Sequence, residues 1–175
     1  MDDLSLVNSC VKGNKQAQKA LFDKFSRKML GVCLRYTKQI DQAEDVLQDG
    51  FIKVFTNLPK YKNEGSLEGW IRKIMVNTAL DHIRKNNKLV LENDILVNTA
   101  LYQHHDLTLE KLMAADLLKL IQSMPEGYRI VFNMFAIEGY SHKEIADTLG
   151  VSENTSKSQY LRAREYLRLR IEKKK

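Results

Sequence analysis

Two sets of side chains in this sequence carry hydrogen-bonding and stacking groups at helical spacing. Within residues 141–170, Asn154, Lys157, Ser158 and Leu161 fall on one face of a helix. They offer an amide, an ammonium, a hydroxyl and a branched apolar group, which can bond base edges, reach a guanine or a phosphate, and meet a thymine methyl in a major groove. Arg162, Arg164, Arg168 and Arg170 flank that face as phosphate contacts. Earlier in the chain, Trp70, Lys73, Asn77, Asp81 and Arg84 recur at i, i+3, i+7, i+11 and i+14. An indole, cations and an amide in line can stack on and hydrogen-bond unpaired bases, although the same line would also suit a packing edge. No phosphate-cradling glycine loop, metal-ligand spacing or nucleophile constellation is visible, so an enzyme is the least favoured class, and neither metal nor cofactor is expected. His104 and His105 beside Asp106 read as a solvated loop, because adjacent side chains point apart and no cysteine is near.

The outward face near the C-terminus needs a scaffold, and the local sequence supplies one. Ser141 with Glu144 is a capping box, Ile145, Ala146 and Leu149 give the helix an apolar face, and Gly150 tolerates positive φ. Ser152 caps a second helix whose inward stripe is Ser156, Tyr160, Ala163 and Leu167. Small Ala146 lets the pair approach closely, as a helix-turn-helix requires. A packing corner with a solvated Arg-rich face would look the same in outline, so charge decides. Residues 157–175 hold eight Lys or Arg and two acids, a net of +6, and the whole chain, with 28 basic and 22 acidic residues, is also +6. Residues 1–156 are therefore neutral. Phosphate neutralisation explains that asymmetry, and mere solubility does not.

The 175 residues are 43% hydrophobic and 29% charged, enough for one large domain or two small ones. No apolar run approaches the about 20 residues of a membrane span, and MDDLSLVNSC lacks a secretory pattern, so a cytoplasmic protein is expected. Cys10 and Cys33 read as buried reduced thiols. Two prolines, eight glycines and little β-branched alternation predict an all-α fold. The isoelectric point near 9.2 and mean hydropathy of -0.40 suit a nucleic-acid binder.

In the N-terminal half, Leu4, Leu6, Val7 and Val11 predict a short helix ending near Gly13. Asn14 caps the next, with Ala17, Ala20, Leu21, Phe25, Met29, Val32 and Cys33 at helical spacing down to Tyr36. Asp41 with Glu44 reads as a capping box for a helix whose core stripe is Ala43, Val46, Leu47, Gly50, Phe51, Val54 and Leu58. Ile52 lies opposite that stripe among Asp45, Gln48, Asp49 and Thr56, an apolar knob ringed by acids that would suit a basic protein partner. Residues 59–69 read as a loop, followed by a helix over 67–85 that is apolar round most of its circumference. No period persists over residues 86–106, a linker that could dock through Leu89, Val90, Ile95 and Leu96. Thr108 is expected to cap a helix carrying Leu109, Leu112, Met113, Leu117, Leu120 and Ile121, and Pro125 to start another with Tyr128, Val131, Phe132 and Phe135. These two would form the core under the helix-turn-helix.

With AEDVLQDGFIKVF, GSLEGWIRKIMVNTALDHIRK and YSHKEIADTLGVSENTSKSQYLRAREYLR in that order, the chain resembles an extracytoplasmic-function (ECF) sigma factor of bacterial RNA polymerase. The resemblance spans nearly the whole chain. It implies an all-α chain of two small helical domains, sigma region 2 over residues 1–86 and sigma region 4 over 107–175, joined by a linker over 87–106. By motif, Asp45, Gln48, Asp49 and Ile52 match the helix that docks on the β′ clamp helices of the polymerase. The loop bearing Lys60, Asn63 and Ser66 matches the one that captures a flipped base of the minus-ten element. Trp70, Lys73, Asn77 and Asp81, with basic Arg84, match the strand-separating, minus-ten-reading helix. Thr155, Lys157, Ser158 and Arg162 match the minus-thirty-five reader, beside Asn154 and Leu161. Ser156 stands where the family usually has an apolar residue, and Gln159 where it has Arg. The implied partners are core polymerase, including its β flap, promoter DNA and an anti-sigma factor, without membrane insertion. A helix-turn-helix regulator with an effector-binding N-terminal domain is the alternative, but it leaves the Trp70 line unexplained.

Overall fold

The computed structural model describes residues 2–90 and 109–172. All regular structure among them is helical, and the chain divides into two compact units, Met1–Tyr102 and Gln103–Lys175. Ile95, Leu96, His104, His105, Asp106 and Thr108 lie outside the described residues, as do the side chains of Leu89, Val90, Leu109, Leu112 and Met113.

The first unit contains α1 (Asp3–Val11), α2 (Lys15–Tyr36), α3 (Ile40–Asn57), a 3-10 turn (Leu58–Lys60) and α4 (Leu67–Val90). Local chemistry starts the first two helices: Asp2 accepts from the Ser5 amide at 2.7 Å, and Asn14 accepts from those of Gln16 and Ala17. The capping box expected at Asp41 is not formed. α3 begins two residues earlier, at Ile40 behind Gln39, with no side-chain cap. Starting there puts half-buried Ile40 in register with Ala43, Leu47 and Phe51, so the apolar stripe lengthens by a turn. Asp41 keeps a favourable place in the first turn, where the helix dipole attracts a carboxylate. The helix that follows the loop runs on to Val90, because residues 86–90 hold neither Gly nor Pro to stop it.

The core of this unit lies where α2, α3 and α4 pack on one another, with Leu21, Met29, Cys33, Val46, Ile71 and Met75 fully enclosed. Burial drives the Cys33 thiol up to about 12, so it stays protonated and inert. α3 and α4 approach most closely at Gly50, where a Cβ would stand 2.2 Å from the Met75 sulfur. On the surface, Glu68 of α4 accepts from Lys28 of α2 at 2.8 Å and from Arg72 at 3.1 Å.

The second unit contains α5 (Leu109–Gln122), α6 (Glu126–Phe132) continuing into a π-helical turn (Asn133–Ile137), α7 (His142–Leu149) and α8 (Glu153–Glu172). Ile121, Met124, Ala163 and Leu167 are its buried centre, with Leu120, Tyr128, Phe132 and Tyr166 packed around them. Tyr166 donates its hydroxyl to the Ser123 carbonyl at 2.6 Å, tying α8 to the end of α5. Buried Arg129 donates to the Met124 carbonyl at 3.2 Å in the α5–α6 turn. Leu117 departs from the expected inward face. It lies a turn before Ile121, beyond the buried cluster, and is 53% exposed.

Two stability outcomes follow from this packing. Gly50→Ala should lower the melting temperature even though alanine favours helix by about 1 kcal/mol, because overpacking at an enclosed sulfur costs ~1–3 kcal/mol. The loss should shrink in a Met75→Ala background, and equal losses in both backgrounds would refute the close approach. At Glu68, hydrogen bonds from Lys28 and then Arg72 hold the carboxyl below its usual range. A depressed folded-state value means that the stabilisation is present at neutral pH and lost as pH falls through that value. Glu68→Gln should therefore cost under about 1 kcal/mol at pH 7, as befits a partly exposed pair. In urea titrations, the gap between parent and variant should close on acidification below about pH 4.

Candidate nucleic-acid and protein interfaces

Three faces gather the residues singled out by sequence. The first is the outer side of α3. Its inner side is consumed by the core, where Phe51 packs on Phe22 with ring centroids 4.7 Å apart. Ile52 is left 65% exposed, and Asp45, Gln48 and Asp49 are exposed in the two turns before it. An aliphatic group in water beside carboxylates has no stabilising role within the unit, since neither burial nor ion pairing uses it.

The second face belongs to the loop after α3 and the outward line of α4. Asn63 at φ 56° and Gly65 at φ 87° both take left-handed backbone, which turns the loop sharply. Tyr61 braces that turn by donating its hydroxyl to the Gly65 carbonyl at 3.0 Å. Its ring lies 5.2 Å from that of Trp70, tilted by 51°. Sequence reasoning passed over Tyr61, although an aromatic residue in a loop of turn formers was the available signal. Lys60 ends the 3-10 turn, with Nζ 3.5 Å from the Asn57 side-chain oxygen. Ser66 has a structural duty: its hydroxyl accepts from the Gly69 amide at 3.1 Å in the first turn of α4. Along α4, Trp70 is half-buried while Lys73 and Asn77 are exposed. Asp81 is engaged by two cations, Lys53 of α3 and Arg84, each at 3.2 Å. Lys53 was also missed, because its partner lies 28 residues further on.

The third face is built by α7 and α8. The capping box forms as expected: Ser141 Oγ accepts from the Glu144 amide at 3.2 Å, and the Ser141 amide donates to Glu144 Oε2 at 2.8 Å. Gly150 ends α7 at φ 69°, a left-handed conformation that L side chains adopt with strain. Ser152 accepts from the Thr155 amide at 3.0 Å and starts α8. Ser156, Ala163 and Leu167 turn inward and are buried, with Tyr160 half-buried among them. Asn154, Thr155, Lys157, Ser158, Leu161 and Arg162 turn outward, and Leu161 is 65% exposed. Gln159, the second departure from the family pattern, lies against Gly127, where a Cβ would come within 3.2 Å of its side-chain oxygen.

The cations of α8 are not equivalent. Arg168 is held by Glu165 at 2.6 Å and Glu172 at 3.3 Å, and the Glu165 hydrogen bond both raises its pKa and lowers that of Glu165. The Arg170 guanidinium lies 3.4 Å from the centre of the Tyr166 ring, and Arg164 lies 6.0 Å from that of Tyr160. Lys157 is a loose 3.6 Å from Glu153. Arg162 has no acidic partner among the described residues, so it is the least committed cation beside the outward face.

Each of the two units matches a known family. The family described as sigma-70 region 2 matches residues 21–89, and sigma-70, region 4 matches residues 114–167. The RNA polymerase sigma-H factor of Pseudomonas aeruginosa is 28% identical over 174 residues, covering 93% of this chain and 90% of its own. The ECF RNA polymerase sigma-E factor of Haemophilus influenzae is 25% identical over 185 residues, covering 98% and 96%. Among solved structures, the sigma factor RpoE of Bartonella quintana, crystallised with the anti-sigma factor NepR, aligns with a TM-score of 0.60 at 21% identity over 88% of this chain and 96% of that one. CnrH in complex with the cytosolic domain of CnrY aligns with a TM-score of 0.55 at 20% identity over 99% of both chains. At those identities the structures speak to fold alone. With both sigma-70 regions matched in order and the Haemophilus influenzae ECF relative aligned over nearly the full length of both chains, the chain belongs to the extracytoplasmic-function sigma factors of the sigma-70 family.

Proposed function

We propose that this sigma factor engages core RNA polymerase through the Ile52 face of α3, reads the minus-thirty-five element with α8, and holds opened minus-ten bases along α4. The first unit then serves as region 2 over residues 1–86 and the second as region 4 over 107–175. The chain works as an alternative sigma factor and is not an enzyme; catalysis belongs to the polymerase. The observation that carries the reading is the outward line of half-buried Trp70 and exposed Lys73 and Asn77 on α4, in a chain whose second unit presents a separate polar face on α8. An indole against a loop tyrosine can replace a lost stacking partner, and an exposed amide can donate to and accept from a freed base edge. Neither group has work to do on closed duplex, so a regulator that binds duplex alone leaves them idle. Ser66 and Asp81 support this face indirectly in the proposal, one by starting α4 and the other by holding Lys53 and Arg84. Lys60 and Asn63 line the loop where an extruded base would enter.

The docking assignment draws on chemistry as well. Ile52 amid Asp45, Gln48 and Asp49 offers an apolar anchor with an acidic rim, which suits a basic, helical surface such as the β′ clamp helices. The β flap is assigned to the second unit by family likeness. An anti-sigma factor is a further expected partner, by analogy with the complexes of the Bartonella quintana protein and of CnrH. A cytoplasmic location follows from that of the polymerase, and no helix among the described residues is long and apolar enough to cross a membrane.

Ile52→Asp should weaken core binding by about tenfold or more, the scale of a lost interface anchor, while circular dichroism stays that of the parent. Unchanged affinity would remove the docking role from this face. The double variant Trp70→Ala, Asn77→Ala should still bind core and reach duplex promoters through α8, yet fail to open them. Permanganate reactivity of thymines near the start site should vanish, and transcription should return on a template with a pre-melted bubble, since the few kcal/mol of unpairing are then supplied by the mismatch. If the double variant opens duplex promoters as well as the parent does, α4 has no part in melting.

A further inference from the structure

Ser156 sits in the inward stripe of α8 with no solvent exposure, at a position where an apolar side chain would pack as well. A buried hydroxyl costs free energy unless it finds a partner. Serine or threonine within a helix often turns its hydroxyl back to the carbonyl one turn earlier, as the Thr78 hydroxyl does to the Ile74 carbonyl at 2.8 Å. The Ser156 hydroxyl instead lies 2.9 Å from Nδ1 of His142, the first residue of α7. Either tautomer serves, because the hydroxyl can donate or accept. The imidazole is itself caged. It stacks on Phe135 at 4.2 Å with planes 13° apart, and the Tyr160 ring stands 5.9 Å away at 59°. Phe135 and Tyr160 close the cage against each other at 4.6 Å.

We propose that His142 and Ser156 are a positioning pair that sets the roll of α8 about its own axis, and through it which base edges the outward face meets. The inference rests on the assignment of α8 as the minus-thirty-five reader. Apolar contacts at this joint are non-directional and tolerate small rotations, whereas a hydrogen bond to a fixed ring does not. A roll of about 20° moves a hydroxyl near ~4 Å radius by about 1.4 Å, beyond hydrogen-bond reach of the ring. The same roll carries groups at the ~6 Å outer radius by about 2 Å, enough to break a base-edge contact made by Lys157 or Ser158. The two departures from the family pattern thus become one device: Ser156 anchors the helix on α7, while Gln159 leans on Gly127 from the next turn.

The test uses the full-length protein assembled with core polymerase on promoters with a randomised minus-thirty-five element and a fixed minus-ten element. Ser156→Ala and His142→Phe each remove the bond while keeping the joint filled. Both should reduce discrimination between the best sequence and its single-base variants by about tenfold, while affinity for random duplex holds at the parent level. His142→Asn, whose amide can reach the same hydroxyl, should recover most of the discrimination. Parent-like discrimination in Ser156→Ala would overturn the proposal, and so would loss of random-duplex affinity or of helical circular dichroism in step with it, since the pair would then act on stability alone. Lys157→Ala and Arg162→Ala separate the two levels of inference. If neither alters affinity or discrimination, α8 is not in the groove and the functional reading of the helix fails; if they do and Ser156→Ala does not, only the positioning pair fails.

Discussion

The burial of α4 constrains which side chains the first unit can turn outward. Ile71, Met75, Val76, Ala79 and Leu80 leave almost nothing of the helix exposed on the sides that meet α2 and α3. Gly50 lets α3 come close enough to enclose the Met75 sulfur, and a helix held that tightly cannot roll to present a different face. The outward line of Trp70, Lys73, Asn77, Asp81 and Arg84 is therefore fixed in direction by that burial. The loop must follow. Its two left-handed residues and the Tyr61 hydroxyl bond bring an aromatic ring beside Trp70, so the line begins with a pair of rings and continues with polar groups.

Electrostatics sorts the surfaces on α3. Asp45 and Asp49 point away from the core beside Ile52, and an acidic surface repels phosphate. Lys53 follows Ile52 directly in sequence, yet its ammonium turns to Asp81 on α4. One helix thus presents an acidic, apolar face in one direction and delivers a cation to the outward line of α4 in another. Asp81 would itself repel a DNA backbone were it alone; held between Lys53 and Arg84, the group of three carries a net positive charge. Exposed pairs of this kind add little to stability, so their effect is to hold long side chains in place along the outward line of α4.

The elements legible in the sequence were those set by local rules. The α7–α8 pair, its capping box, Gly150 and the Ser152 cap depend on residues within a few positions of one another, and each was readable from spacing. Ile52 was readable because one apolar residue interrupted a polar face. The α3 start was misread because Asp41 and Glu44 have capping spacing, while the pull of the core on Ile40 comes from the tertiary structure. Leu117 was misplaced for a related reason: periodicity gives the face of a helix but not where along it the neighbouring helix ends. Lys53 on Asp81 and the close approach of Gly50 to Met75 both join residues far apart in sequence, and no local pattern encodes such distances.

The C-terminal helix shows why net charge overstates the number of cations free to act. Residues 157–175 supply the whole excess charge of the chain, yet within α8 Arg168 is shared between two glutamates and Arg170 covers a tyrosine ring. Intrahelical pairs of this sort stiffen the far end of α8, where Tyr166 and Leu167 anchor it to the core. Cations held this way release fewer counterions when DNA arrives, so the salt dependence of duplex binding reflects the uncommitted ones, Arg162 foremost. The division of labour runs along the helix. Its first turns carry hydroxyls and amides with one loosely paired lysine, groups suited to base edges, while its last turns trade charge among themselves and hold that end of the helix against the core.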